Sequence, residues 1–99
     1  MRLDFLPEAS AELYQAAEYY DSKQEGLGWR FRNEVMEVCR MIVQQPLLWR
    51  ERPGGYRRVN CPIFPYHIAY FIRGDLIVIA AVAHSHRRPE YWKDRLGLE

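Results

Sequence analysis

YHIAYFIRGDLIVIAAVAH, residues 66–84, is the stretch that decides the fold. In its first part Tyr66, Ile68, Tyr70 and Ile72 alternate with His67, Ala69 and Phe71, a period of two that sends the two sets to opposite faces of a strand. Arg73-Gly74-Asp75 then supplies a tight reversal. Leu76 to Ala83 follows as an almost continuous apolar run rich in Val and Ile, which reads as the central, fully buried strand of a sheet.

Upstream of this hairpin, Tyr56 to Asn60 alternates weakly after the turn signal Pro53-Gly54-Gly55 and reads as a further strand. Earlier still the period changes. Pro7 opens a helix over residues 8–23, with Glu8 suited to its positive end and Ala9, Leu13, Ala16, Ala17 and Tyr20 at helical spacing. Residues 25–28, EGLG, interrupt it. Leu27, Phe31, Val35, Val38 and Ile42 then form a second helical stripe that Pro46 stops. So short a gap predicts an antiparallel helical hairpin. Before it, Arg2 to Leu6 alternates as a short strand; after the central strand, Pro89 is placed to begin a short helical turn through Tyr91, Trp92 and Arg95.

The expected architecture is therefore α+β: strand, helix, helix, three strands and a short C-terminal helix, in a single domain over residues 1–99. The last three strands form a small antiparallel sheet that the first strand joins, and the helical hairpin covers one face. The other face is expected to stay partly open, a basic and aromatic hollow.

Composition excludes several classes. No apolar run approaches the ~20 residues needed to cross a bilayer, and the start of the chain, MRLDF, carries an acid and lacks the apolar core of a secretory signal. The expected location is the cytoplasm, with Cys39 and Cys61 as reduced thiols. The three histidines and two cysteines lack metal-type spacing, and no glycine-rich phosphate loop follows a strand, so neither metal nor cofactor is expected. The net charge of +1 hides an asymmetry: residues 1–49 carry five Lys/Arg against eight Asp/Glu, a net of −3, and residues 50–99 carry nine against five, a net of +4. The basic half also holds the histidines, which suits an acidic partner or polyanion.

Chemistry concentrates just after the central strand, in residues 84–92, HSHRRPEYW. Histidine moves protons near neutral pH, arginine clamps phosphate with paired hydrogen bonds, and tyrosine stacks or donates. Each of these residues also has a plainer reading. His84 at a strand end suits a structural histidine bonded to nearby backbone, Arg87 and Arg88 can pair with Glu90 and Asp94, and Tyr91 and Trp92 can cover the end of the core. Arg57 and Arg58 are neighbours on a strand and must face opposite sides, so one of them faces the open surface.

The ordered set Phe5-Leu6-Pro7-Glu8-Ala9, Tyr19-Tyr20, Gly28 with Phe31 and Glu34-Val35, Tyr56-Arg57-Arg58, Pro65-Tyr66 with Ile68 and Tyr70, and His84 with Arg87-Arg88-Pro89 resembles the RelE/ParE superfamily of bacterial type II toxins. The resemblance covers nearly the whole chain. It implies a growth-inhibiting toxin encoded beside a small antitoxin that wraps and blocks it. RelE-like members cleave messenger RNA on the ribosome, whereas ParE-like members poison DNA gyrase.

Cleavage through the 2′-hydroxyl needs a proton acceptor, a charge stabiliser for the phosphorane and a proton donor for the leaving oxygen. His84 or His86 suits the first role, Arg57 or Arg58 with Arg87 or Arg88 the second, and Tyr91 or the other histidine the third. In the RelE-like pattern arginines sit on the middle strand and at the end of the last strand, and Arg58 and Arg87 are the matches. The lysine-rich stretch of some RNA-cleaving relatives has no counterpart, since the only lysines are Lys23 and Lys93. The inventory leans toward metal-independent mRNA cleavage by His84, His86, Arg58, Arg87 and Tyr91, with Arg57, Arg88, Tyr66, His67 and Trp92 contacting RNA or the antitoxin. The alternatives are a non-catalytic gyrase poison and an inactive toxin-like corepressor.

Overall fold

The computed structural model describes residues 1–96 of the chain. Strand β1 (Arg2–Phe5) leads into helices α1 (Pro7–Lys23) and α2 (Leu27–Gln44), then strands β2 (Arg57–Asn60), β3 (Tyr66–Arg73) and β4 (Leu76–His84), and a single 3₁₀ turn at Lys93–Leu96. This is the predicted order. The final turn begins a few residues later than Pro89, because residues 85–92 run as an irregular strap before the chain can coil.

The sheet order is β1-β4-β3-β2. β2, β3 and β4 are antiparallel, as the hairpin signals require, but β1 lies parallel to β4, with Arg2 opposite Leu76 and Phe5 opposite Ile79. The sheet is thus mixed rather than wholly antiparallel. The reason is topological: β1 reaches its neighbour only through the long connection made by the helical hairpin and β2–β3, which returns the chain in the same direction.

The two faces of the sheet meet different partners. Ile68 and Tyr70 of β3, Ile77, Ile79 and Val82 of β4 and Val59 of β2 pack against Leu13, Ala16 and Ala17 of α1 and Phe31, Val35, Val38 and Ile42 of α2. The helices approach closely because Gly28 has no side chain: a Cβ there would run into the Ala17 carbonyl oxygen and lie 2.8 Å from Asp21 Cγ. The Gly28 amide donates to Asp21 Oδ1 at 2.7 Å, which fixes the crossing. Cys39 and Cys61 are buried free thiols in this core, consistent with their reduced reading, and burial pushes both up to about 12.

The opposite face is only in part the hollow expected: a cavity of about 420 Å³ lined by Tyr56, Phe71, Trp92, Glu90 and Lys93 remains, and the rest is covered. Ala69, Phe71, Ala80, Ala81 and Ala83 line that face, and Trp92 from the strap lies on them beside Tyr56. Four alanines on adjacent strands leave a shallow seat that a large ring fills, and Trp92 is 2% exposed. The plainer reading of Trp92, as cover for the core, is the one this packing supports.

One irregularity sets the geometry of everything beyond it. Ala69 pairs with Ala81 but Tyr70 pairs with Ile79, so Ala80 is an extra residue, a β-bulge. Before the bulge Ile77 and Ile79 face the helices; after it Val82 and His84 do, His84 standing opposite Tyr66. A regular strand would have turned Val82 and His84 to the alanine face. Pairing with β1 ends where the Leu6 amide donates to the Ile79 carbonyl, so the far half of β4 has an uncovered edge on that side.

Candidate functional site

That uncovered edge is closed by side chains from the two ends of the chain. Glu12 of α1 accepts the Val82 amide through Oε1 at 2.9 Å, and Arg95 Nη1 donates to the Ala80 carbonyl at 3.0 Å, so both groups freed by the bulge are bonded. Arg95 also holds Glu12 through Nη1 to Oε1 at 3.0 Å and Nη2 to Oε2 at 2.9 Å, and the Tyr91 hydroxyl donates to Glu12 Oε2 at 2.5 Å. The hydrogen bond and charge of Glu12 hold the Arg95 guanidinium above its ordinary value, and burial followed by the bond to Glu12 raises Tyr91 well beyond the usual phenol range. Glu12 is therefore saturated, and the Tyr91 proton is held firmly.

Beside this network lies a cavity of about 200 Å³ between α1 and the ends of β3 and β4, lined by Glu12, Gln15, Ala16, Tyr19, Tyr66, Val82, His84, Arg87 and Tyr91. The Arg87 guanidinium lies 3.9 Å from the centroid of the Tyr91 ring. His84 meets Tyr66 edge-on at 5.0 Å, and His86 meets His84 at the same centroid distance. The His86 amide donates to His84 Nδ1 at 3.0 Å, so the neutral ring carries its proton on Nε2. That bond gives His84 the backbone partner of its structural reading and leaves Nε2 as the donor of the neutral ring.

The structure thus brings together His84, His86, Arg87, Tyr91 and Tyr66, and separates the rest. Arg58 projects from the alanine face with His67, and its Nη2 lies 3.4 Å from Asn60 Oδ1. His67 is 8% exposed, and among the described residues its Nδ1 has no partner. Burial, then the Arg58 and Arg52 charges, push it down to about 4. Arg57 turns to the helix side, where Nε donates to the Trp49 carbonyl at 2.8 Å and Nη2 lies 3.7 Å from Glu51. Arg88 is exposed on the strap. Of the residues expected to contact RNA or antitoxin, His67 and Trp92 are both buried, Trp92 against the alanine face of the sheet.

Glu12, Tyr19 and Arg95 were not legible as site residues. Glu12 sits at the edge of the apolar stripe of α1 like any solvated glutamate, and its partner Arg95 is 83 positions away. Only the bulge creates the need for Glu12 and Arg95.

The helical hairpin and the four-stranded mixed sheet, with a polar cavity at the end of its central strands, make an α+β fold of the RelE/ParE kind. A solved structure of the chromosomal ParDE toxin–antitoxin system from P. aeruginosa has the same fold, with a TM-score of 0.76 and 18% identity, covering 85% of this chain and 95% of that chain. The family model described as ParE toxin of type II toxin-antitoxin system, parDE, matches residues 3–89, and the chain belongs to that family. No curated protein sequence matches it. Among the described residues, no helix is long and apolar enough to cross a membrane.

Proposed function

We propose that this ParE-family toxin arrests growth from the cytoplasm by binding a protein target, DNA gyrase as for ParE-like toxins, and that a cognate antitoxin neutralises it by direct contact. The observation that carries this reading is the ParE-specific family match over residues 3–89, and the separation of Arg58 from the cluster of His84, His86, Arg87 and Tyr91 supports it. The bulge at Ala80 turns His84 toward the helices, while Arg58 projects from the opposite face. A phosphorane held by Arg58 lies beyond the reach of a base at His84, because the sheet itself stands between them. Of the two candidates for the third role, Tyr91 is a poor acid for a leaving oxygen, because its hydroxyl donates a hydrogen bond to Glu12 and its pKa is raised, which leaves that role to a histidine. The scarcity of lysine supports the gyrase reading as well.

The test is a supercoiling assay with purified gyrase and relaxed plasmid. The expected result is dose-dependent loss of supercoiling with accumulation of cleaved DNA, reversed by antitoxin. Full supercoiling at a severalfold molar excess of a toxin preparation that arrests growth on induction overturns the reading. Induction without arrest favours the corepressor instead.

A further inference from the structure

We propose that the cavity between α1 and the end of β4 seats one acidic side chain of the antitoxin, its carboxylate gripped by Arg87 and His84. The pocket is described above; the identity of its occupant rests on the toxin–antitoxin reading. Three observations select that occupant.

The first is unsatisfied donor capacity. Among the described residues Arg87 has no carboxylate partner, since Glu12 is fully engaged by Arg95, Tyr91 and the Val82 amide. His84 offers Nε2–H because its Nδ1 already accepts a backbone amide. The Tyr66 hydroxyl donates to no group among the described residues, and burial holds its pKa up, so it stays a donor. Donors that line one cavity whose sole carboxylate, Glu12, is already fully bonded call for an anion.

The second is pre-organisation. The guanidinium rests on the Tyr91 ring at 3.9 Å, and that ring is fixed by Glu12, so little side-chain entropy is lost when Arg87 engages an anion.

The third is size. A cavity of about 200 Å³ is smaller than the ~300–1,000 Å³ of typical small-molecule sites. It takes a single side chain, not a nucleotide with its base. Ala16, Val82 and the ring faces of Tyr19 and Tyr66 supply an apolar wall for the methylenes of a glutamate. A protein acid fits these dimensions better than an RNA phosphate.

The test has two arms. In the first, the isotopically labelled toxin is titrated by NMR with N-acetylglutamate methylamide, inorganic phosphate and a short oligoribonucleotide. Saturable shifts of the Arg87 Nε–H and His84 ring signals are expected with the glutamate probe at millimolar concentration, the His84 shifts being lost in Arg87→Ala and weakened in Arg87→Lys, which keeps the charge but loses the paired geometry. No saturable shift at these groups overturns the proposal, as does tighter binding of phosphate or the oligonucleotide. In the second, the protein encoded in the adjoining reading frame is titrated against wild-type toxin and both variants, with matched thermal melts to confirm folding. A ten- to hundredfold loss of affinity is expected for Arg87→Ala and a smaller one for Arg87→Lys; equal affinity for all three contradicts it. The first arm does not depend on the cellular target, so a failed gyrase assay leaves it standing.

Discussion

Replacing Glu12 with alanine tests the physical reasoning at its most exposed point. The side chains of Glu12 and Arg95 are 14% and 18% exposed, so water does little to screen their pairing. The substitution removes the acceptor for the Val82 amide, the Tyr91 hydroxyl and the bidentate grip of Arg95 in one step. Stranding one member of a buried ion pair costs about 3–5 kcal/mol, and the residual exposure places this case near the lower end, at about 3 kcal/mol. Against a total stability of roughly 5–15 kcal/mol that is a large fraction. For a chain of this size the melting temperature should fall by roughly 12–24 °C. Urea denaturation gives the free energy, and amide hydrogen exchange gives the location: the Val82 amide should lose its protection, and the strap should open before the rest of the sheet unfolds. Glu12→Gln, which keeps one oxygen for Val82, should cost less. A double-mutant cycle of Glu12→Gln with Arg95→Met should show a coupling of at least ~1 kcal/mol. A loss below ~1 kcal/mol in Glu12→Ala, with Val82 still protected, refutes the claim that this network closes the bulged edge.

His67→Phe should flatten the acid limb of the stability curve. The folded-state pKa of about 4 lies below the usual histidine value, so between pH 6.5 and 4 the unfolded chain binds the proton that the folded chain refuses, and stability falls as pH falls through that window by up to about 3 kcal/mol. Identical acid slopes in urea titrations of wild type and variant would contradict this. Gly28→Ala should destabilise by roughly 2–3 kcal/mol, because the new methyl meets the Ala17 backbone, which cannot swing aside; a thermal midpoint within a degree or two of wild type would show the helices free to separate. Deleting Ala80 should restore a regular strand and turn Val82 and His84 over, abolishing antitoxin binding in a calorimetric titration and lowering the melting temperature. Retained affinity would mean that the bulge does not set the site.

The frame of the fold was readable because its signals are local. Period-two alternation in 66–72, the Gly74 reversal and the apolar run after it specify a hairpin, and two helical stripes separated by a glycine pair specify the hairpin that covers it. The direction of β1 was not readable, since a four-residue strand carries no mark of the neighbour it will find. Nor was the bulge, because alanine at 80 and alanine at 81 offer the same side chain to either face. That ambiguity hid the site: it decides on which side of the sheet His84 stands, and so whether it shares a face with Arg58 or with Tyr66. The chemically dense segment 84–92 does bring Arg87, Tyr91, His84 and His86 together in space. The burial of Trp92 was not readable, because the four alanines on which it lies look in sequence like an ordinary apolar strand.

The account depends most on the claim that Arg58 and His84 cannot act on one phosphate. Mapping of messenger RNA 5′ ends in translating ribosome reactions supplied with purified toxin addresses it directly. No new ends should appear at any toxin concentration that arrests growth. Cuts within codons, lost on Arg58→Ala and on His84→Ala alike, would join the two faces in a single active centre and contradict it.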